Sequence, residues 1–365
     1  MSETESDRED ELLHPRETVQ LFGHDEAERT LARCYAQGRL PPAFLIGGPR
    51  GLGKATLAYR FARILLSGAR IDPERAHPLH MEPGHQIFRL VAAQAHPDLL
   101  VLRRPFDEKT KKLKAGIPVD EVRRVHTLFG HRAGAGAYRV CIVDAADALA
   151  APAANALLKT LEEPPQRSVF LLIAHAPARL LPTIRSRCRK LNLTPLDAAA
   201  MDAFLARQNP APAPADRVML SHLAQGRPGR ALVLHTSGGL PLYRELVSLL
   251  ASLPRPDPLR VHALADRLSR PAEEGQYRLA VELMQGVVQG AVEWTCGAAR
   301  GAVDEPTRTL AAKLAALAPV ERWALLWEKI DGMARRAEAP LSLDKRQVIL
   351  SSFEALSGVA SGVAA

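Results

Sequence analysis

Residues 47–56 read Gly47-Gly48-Pro49-Arg50-Gly51-Leu52-Gly53-Lys54-Ala55-Thr56. From Gly48 onward the pattern is G-x-x-x-x-G-K, the spacing of a loop whose backbone N–H groups cradle phosphates. The position after the lysine, where a hydroxyl would hold Mg²⁺, is Ala55. The flanks decide how the loop is read. Residues 43–47 (AFLIG) predict a short buried strand, and 54–67 (KATLAYRFARILLS) have the periodicity of a helix. Strand, glycine loop and helix in that order are the context a phosphate loop requires, and they outweigh a bare Gly-rich turn. In this reading Gly48, Gly51 and Gly53 shape the cradle and Lys54 reaches the outer phosphates. Thr56 carries the nearest hydroxyl, but one step along a helix turns a side chain by about 100°, so it replaces the missing group poorly.

Outward from the loop, apolar runs alternate with amphipathic ones. Residues 98–103 (DLLVLR), 139–143 (RVCIV), 168–174 (SVFLLIA) and a short 189–193 predict strands; 25–37, 118–129 and 152–163 predict helices. That alternation indicates a parallel α/β sheet. Between them lie a polar stretch rich in Pro and His at 70–95 and a basic loop, Lys109-Thr110-Lys111-Lys112-Leu113-Lys114. The strand signal ends near residue 195. Residues 209–215 (NPAPAPA) form a Pro-rich connection, and 240–365 read as helix throughout. There Leu279, Leu283, Val287, Ala291 and Trp294 share one face, as do Trp323, Leu326, Trp327 and Ile330. The expected organisation is a disordered acidic tail over 1–14, an α/β P-loop domain over 15–194, a small helical lid over 195–238 and an all-α domain over 239–365.

The 365 residues exceed one ordinary domain, and the 47% apolar and 24% charged content is that of globular protein. No apolar run approaches the roughly 18 residues of a membrane span, and the acidic N-terminus lacks the apolar centre of a signal peptide. Four scattered cysteines (Cys34, Cys141, Cys188, Cys296) suit reduced thiols and a cytoplasmic location. Charge is uneven: residues 1–17 hold seven acids against two arginines, a net of −5, so the remainder carries +13 within a total of +8. A basic body fits a polyanionic partner such as DNA, or simply a soluble surface.

A second chemical element is the strand ending Val143-Asp144. An Asp at the end of an apolar strand is the usual acidic partner of a phosphate loop. The next position, where an ATPase of the AAA+ type carries a water-polarising Glu, is Ala145. The hydroxyl and the base are thus both missing, and loss of a general base alone costs roughly 10²–10⁴-fold in rate. Both gaps fall on hydrolysis; the cradle itself is intact.

Three further segments carry a resemblance. Ala154-Asn155-Ala156-Leu157-Leu158-Lys159-Thr160-Leu161-Glu162-Glu163-Pro164-Pro165, then Phe170-Leu171-Leu172-Ile173-Ala174-His175-Ala176-Pro177, then Thr183-Ile184-Arg185-Ser186-Arg187-Cys188, are similar to segments of bacterial clamp-loader subunits. The likeness is clear over roughly 15–235, with the remainder as a helical collar. It implies an AAA+ fold and, with Ala55 and Ala145, a member that does not hydrolyse ATP. It implies partners too: gamma/tau and delta subunits of DNA polymerase III, with the sliding clamp and primer-template DNA met through the assembly. It makes Arg187 an arginine finger acting in trans on a neighbour's ATP. The degenerate nucleotide site would comprise Gly48, Gly51, Gly53, Lys54, Thr56 and Asp144, binding ATP or ADP weakly at most. A sensor residue falls near His175. The position of a second, arginine sensor is Gly229, with Arg230 one place off as a weaker candidate. Arg185 and Arg189 flank the finger in what reads as an extended segment.

Clamp-loader subunits often carry a four-cysteine zinc module near 70–96, but no cysteine lies between Cys34 and Cys141. His77, His80 and His85 remain, without a thiolate and among prolines, so no zinc is expected. The alternatives are an active gamma-like AAA+ ATPase tolerating Ala55 and Ala145, and an unrelated P-loop enzyme such as a kinase. No catalytic set for the latter is evident. Nor is a polymerase carboxylate site, so polymerase activity would belong to the assembly.

Overall fold

The computed structural model describes residues 12–109, 112–130, 138–298, 305–338 and 344–362. It divides into two compact units, 1–200 with 227–230, and 201–226 with 231–365. The expected lid region, 195–238, contributes residues to both.

The first unit begins with α1 (Asp25–Ala36), β1 (Ala43–Gly47), α2 (Lys54–Ser67), α3 (Gln86–Ala92) and β2 (Leu99–Arg103). It continues through β3 (Phe106–Asp107), β4 (Lys112–Leu113), α4 (Val119–Gly130), β5 (Arg139–Asp144), α5 (Ala151–Glu162), β6 (Ser168–Ala174), α6 (Pro182–Arg187) and β7 (Arg189–Asn192). Five strands form one parallel sheet in the order β2-β5-β6-β1-β7. The expected α/β P-loop fold is therefore present. Every residue of β1, β5 and β6 is buried, as a sheet covered on both faces requires. Alternation assigns them: Phe44, Ile46, Val140, Ile142, Leu171 and Ile173 join one core with α1, α2 and α3. Leu45, Cys141, Val143, Phe170 and Leu172 join the other with α4, α5 and α6.

Two stretches read as loops hold structure. Within 70–95, α3 starts where the His85 side chain accepts a hydrogen bond from Ile87 N at 3.2 Å. Lys112 and Leu113 of the basic loop form β4, antiparallel to β3, with Phe106 opposite Leu113. Its Thr110 and Lys111 lie outside the described residues, as does the acidic tail up to residue 11. His14, the last residue of the expected disordered tail, is instead buried edge-on to Tyr59. The chain after it is gripped by two buried α2 arginines. Arg60 donates to the Val19 carbonyl and pairs with buried Glu28, and Arg63 donates to the carbonyls of Arg16 and Thr18. Burial, followed by the neighbouring Arg60 charge, lowers the Arg63 pKa to about 10, which leaves it charged at neutral pH.

In the second unit, α7 (Ala198–Ala206), α8 (Pro214–Ala224) and α9 (Pro228–Thr236) precede α10 (Gly239–Leu250), α11 (Pro258–Leu268), α12 (Glu274–Thr295), α13 (Glu305–Leu317), α14 (Val320–Glu338) and α15 (Lys345–Ala360). The first residues of α7 and α9 belong to the other unit. Among the described residues no helix is long and apolar enough to cross a membrane. Trp323 is wholly buried and donates to the Leu314 carbonyl at 3.1 Å. Trp294 and Trp327, expected on the same apolar stripes, are 38% and 36% exposed. Trp294 sits in the last turn of α12, where the stripe has drifted off the core.

The 70–96 segment is held by apolar packing: Leu79, Met81, Phe88 and Val91 are buried, and the Arg63 guanidinium lies 3.9 Å over the Phe88 ring. His77 is exposed, His80 pairs with Glu82 at 2.9 Å and His85 caps α3. Leu79→Ala is expected to cost about 2–5 kcal/mol in urea unfolding. His77→Ala should stay within about 0.5 kcal/mol. A chelator should leave the wild-type midpoint unmoved.

Candidate functional site

The strands β1, β5 and β6 end together: Gly47 lies opposite Ala174, and Asp144 opposite Ile173. Ligands of open parallel sheets bind beyond this carboxyl edge, and all the expected site residues except Arg187 emerge there or in the segment docked on it. Gly48 follows β1. Gly51 and Gly53 both take φ of +85°, a left-handed conformation that a Cβ would strain. A Cβ on Gly53 would also lie 2.8 Å from the Leu21 side chain. The loop is braced from below by His24, whose Nε2–H donates to the Leu52 carbonyl at 2.9 Å. That bond needs only a neutral ring, and burial lowers the His24 pKa accordingly.

Lys54 opens α2, is buried, and its Nζ donates to the Pro49 carbonyl at 2.6 Å, within its own loop. Ala55 packs against the α2-side core, and Thr56, one position on, is buried. Asp144 ends β5, also buried, and Ala145 follows it without a carboxylate. Asp147 has a role that the sequence did not suggest. Its two carboxylate oxygens accept from the backbone N–H groups of His175 and Ala176, each at 3.0 Å, and so fix the chain leaving β6. His175 thereby stands beside the loop. Its Nδ1 is buried without a hydrogen-bond partner, and its pKa falls to about 4. Desolvation is the main cause, the Lys54 charge adds to it, and Asp147 opposes it.

Gly229 closes against the loop. Its N–H donates to the Gly51 carbonyl at 2.8 Å, and a Cβ there would lie 3.2 Å from Gly51 Cα and Gly51 O. Arg230 lies beside the same glycine, its backbone nitrogen 3.0 Å from where a Gly51 Cβ would stand. The position aligned with a second sensor is thus a backbone contact with the loop. The loop glycines and the start of α2 keep the backbone outline of a phosphate cradle, while the position after Lys54 has no hydroxyl and the one after Asp144 no carboxylate.

Arg187 lies apart from this edge, at the end of α6. The segment read as extended is helical up to Arg187, Pro182 presetting the turn at its start, and becomes extended only from Cys188. Arg185 and Arg187 therefore point about 200° apart instead of the same way. The Ser-Arg-Cys triplet divides its roles. Ser186 Oγ donates to the Thr183 carbonyl at 3.1 Å, and Cys188 is buried in the α5-side core, its thiol pushed up to about 11 by burial. Arg187 is exposed, with Nη2 2.8 Å from Glu162 Oε1 and Nη1 3.0 Å from the Thr183 carbonyl.

A family model described as DNA polymerase III, delta subunit, matches residues 23–197. The delta-prime subunit of DNA polymerase III from Escherichia coli is 34% identical over 253 residues, 65% of this chain and 72% of its own length. The chain belongs to the DNA polymerase III delta-prime family. The delta-prime subunit of Pseudomonas aeruginosa is 39% identical over 54% of this chain, and the match spans only 56% of that relative's length. The tau subunit of Bacillus subtilis is 27% identical over 52% of this chain and 31% of its own.

His175, beside the loop, supplies a pH test. His175 is held neutral in the fold with a pKa of about 4, against 6.5 when unfolded. The unfolded chain therefore binds more protons between those values. This histidine's contribution is complete above pH 6.5 and is lost as pH falls from 6.5 towards 4. Its ring resonances should stay those of neutral imidazole down to about pH 5. His175→Gln should flatten the fall in urea stability across that window, with the residual slope left to His24 and His96, whose pKa values burial also lowers.

Proposed function

We propose that this chain is a non-hydrolysing AAA+ subunit of the DNA polymerase III clamp loader. In this reading it assembles with gamma/tau and delta subunits, acts in the cytoplasm, and helps place the sliding clamp on primed DNA. Its own phosphate loop serves chiefly as a structural element, taking ATP or ADP weakly and without turnover. The observation that carries the reading is the division of the chemistry. The cis site lacks hydroxyl and base at Ala55 and Ala145, while an arginine stands exposed on α6 in the Ser-Arg-Cys setting.

Arginine suits the transfer role because its planar fork stays charged and meets phosphate oxygens at two points. Presented across a subunit contact, Arg187 would stabilise the charge that develops on the phosphoryl group leaving a neighbour's ATP. Such a finger is worth roughly 10³–10⁵ in rate. An active gamma-like ATPase is the second reading; Ala55, Ala145 and the side-chain-free Gly229 against Gly51 all weigh against it.

The purified chain should show no ATP turnover; a rate on the order of 1 s⁻¹, the low end of ordinary enzymes, would overturn the reading. Arg187→Ala should still enter the complex on gel filtration. Its ATPase on primed DNA with clamp should fall by the share of the one adjoining site. Arg185→Ala and Arg189→Ala should leave that rate near wild type.

A further inference from the structure

Two motifs that are separate in sequence meet through one ion pair. Glu162 is the last residue of α5, in the Leu161-Glu162-Glu163-Pro164-Pro165 run, and its Oε1 lies 2.8 Å from Nη2 of Arg187, the last residue of α6. We propose that Glu162 is a positioning residue for Arg187, holding its guanidinium in one orientation for a phosphate presented by a neighbouring subunit. This rests on the arginine-finger reading of Arg187.

Four features support the assignment. First, the anchor is double: Glu162 takes one terminal nitrogen and the Thr183 carbonyl, one turn back in α6, takes the other at 3.0 Å. A long side chain held at both ends of its fork has little rotamer freedom left to lose on meeting phosphate. Second, both anchors are themselves fixed. Glu162 ends its helix just before two prolines, which cannot extend it, and α5 and α6 contribute to one core through Leu157, Leu161, Ile184 and Cys188. Third, the tether is selective. Arg189 donates instead to the Cys34 sulfur at 2.9 Å, and the Arg185 Nε is buried without a partner. Among the described residues, Glu163, one residue on from Glu162, has no ion-pair partner. Fourth, the pair is 36% and 49% exposed, so it lies at the surface where another subunit can reach it. A surface pair contributes little to folding, so its loss should leave the fold intact.

The test uses the assembled complex on primed DNA, with every ATP site except the adjoining one disabled in its own phosphate loop. Glu162→Ala should assemble and lower kcat at the remaining site about two- to fivefold, the range of an exposed pair, with KM for ATP unmoved. Glu162→Gln, which keeps an oxygen acceptor, should recover part of that loss. If Arg187→Ala abolishes turnover while Glu162→Ala matches wild type, the positioning role fails and the finger stands. A faster Glu162→Ala enzyme would likewise overturn positioning, since the pair would then restrain the arginine. Should Glu162→Ala not assemble, Glu162→Gln decides: a reduced kcat at constant KM supports the role, and a wild-type kcat refutes it. An unaffected Arg187→Ala complex removes the finger reading and this inference with it.

Discussion

The parallel register of β1, β5 and β6 is the constraint on which the first unit depends. These strands are buried on both faces, so each successive side chain must satisfy a different core. A shift of one residue would send Phe44 and Ile46 to the α4–α5–α6 side and Leu45 to the α1–α2–α3 side. With the register held, the three strands end level. That is what brings the glycine loop, Asp144 and the chain carrying His175 to one edge.

At that edge the contacts are those of a brace more than of an open cradle. The loop is held through its own backbone: His24 on the Leu52 carbonyl, the Gly229 N–H on the Gly51 carbonyl, and Lys54 turned in on the Pro49 carbonyl. Such contacts need glycines and carbonyls, not a hydroxyl or a general base. Ala55 and Ala145 cost this arrangement nothing. The neutral His175 fits the same picture, since burial beside the Lys54 charge disfavours a second cation.

In the proposed loader the chemistry moves to the outer end of α6. The three residues Ser186, Arg187 and Cys188 are packed for different purposes: a local hydrogen bond, an exposed charge and a buried plug. The plug and buried Ile184 fix the short helix to the sheet unit, so the arginine is carried on a rigid element. In that reading the chain combines a phosphate loop braced through its own backbone with an exposed arginine on α6.

The sequence by itself determined the strand–loop–helix order, the alternation that makes the sheet, the change to helix after residue 195, and the absence of two hydrolytic groups. These are local properties: periodicity, glycine at turns, and the chemical identity of a side chain. It misread 185–187 as extended and passed over α3, because segments of six or seven residues have too few turns to show a period. It placed Trp294 and Trp327 on core stripes that the helices do not fully bury. Asp147, Glu162 and the Gly51–Gly229 contact were beyond its reach, since their partners lie 28, 25 and 178 residues away along the chain. Only tertiary structure decided them, because a hydrogen bond or ion pair between such distant residues depends on where the sheet register and helix packing bring their backbones together.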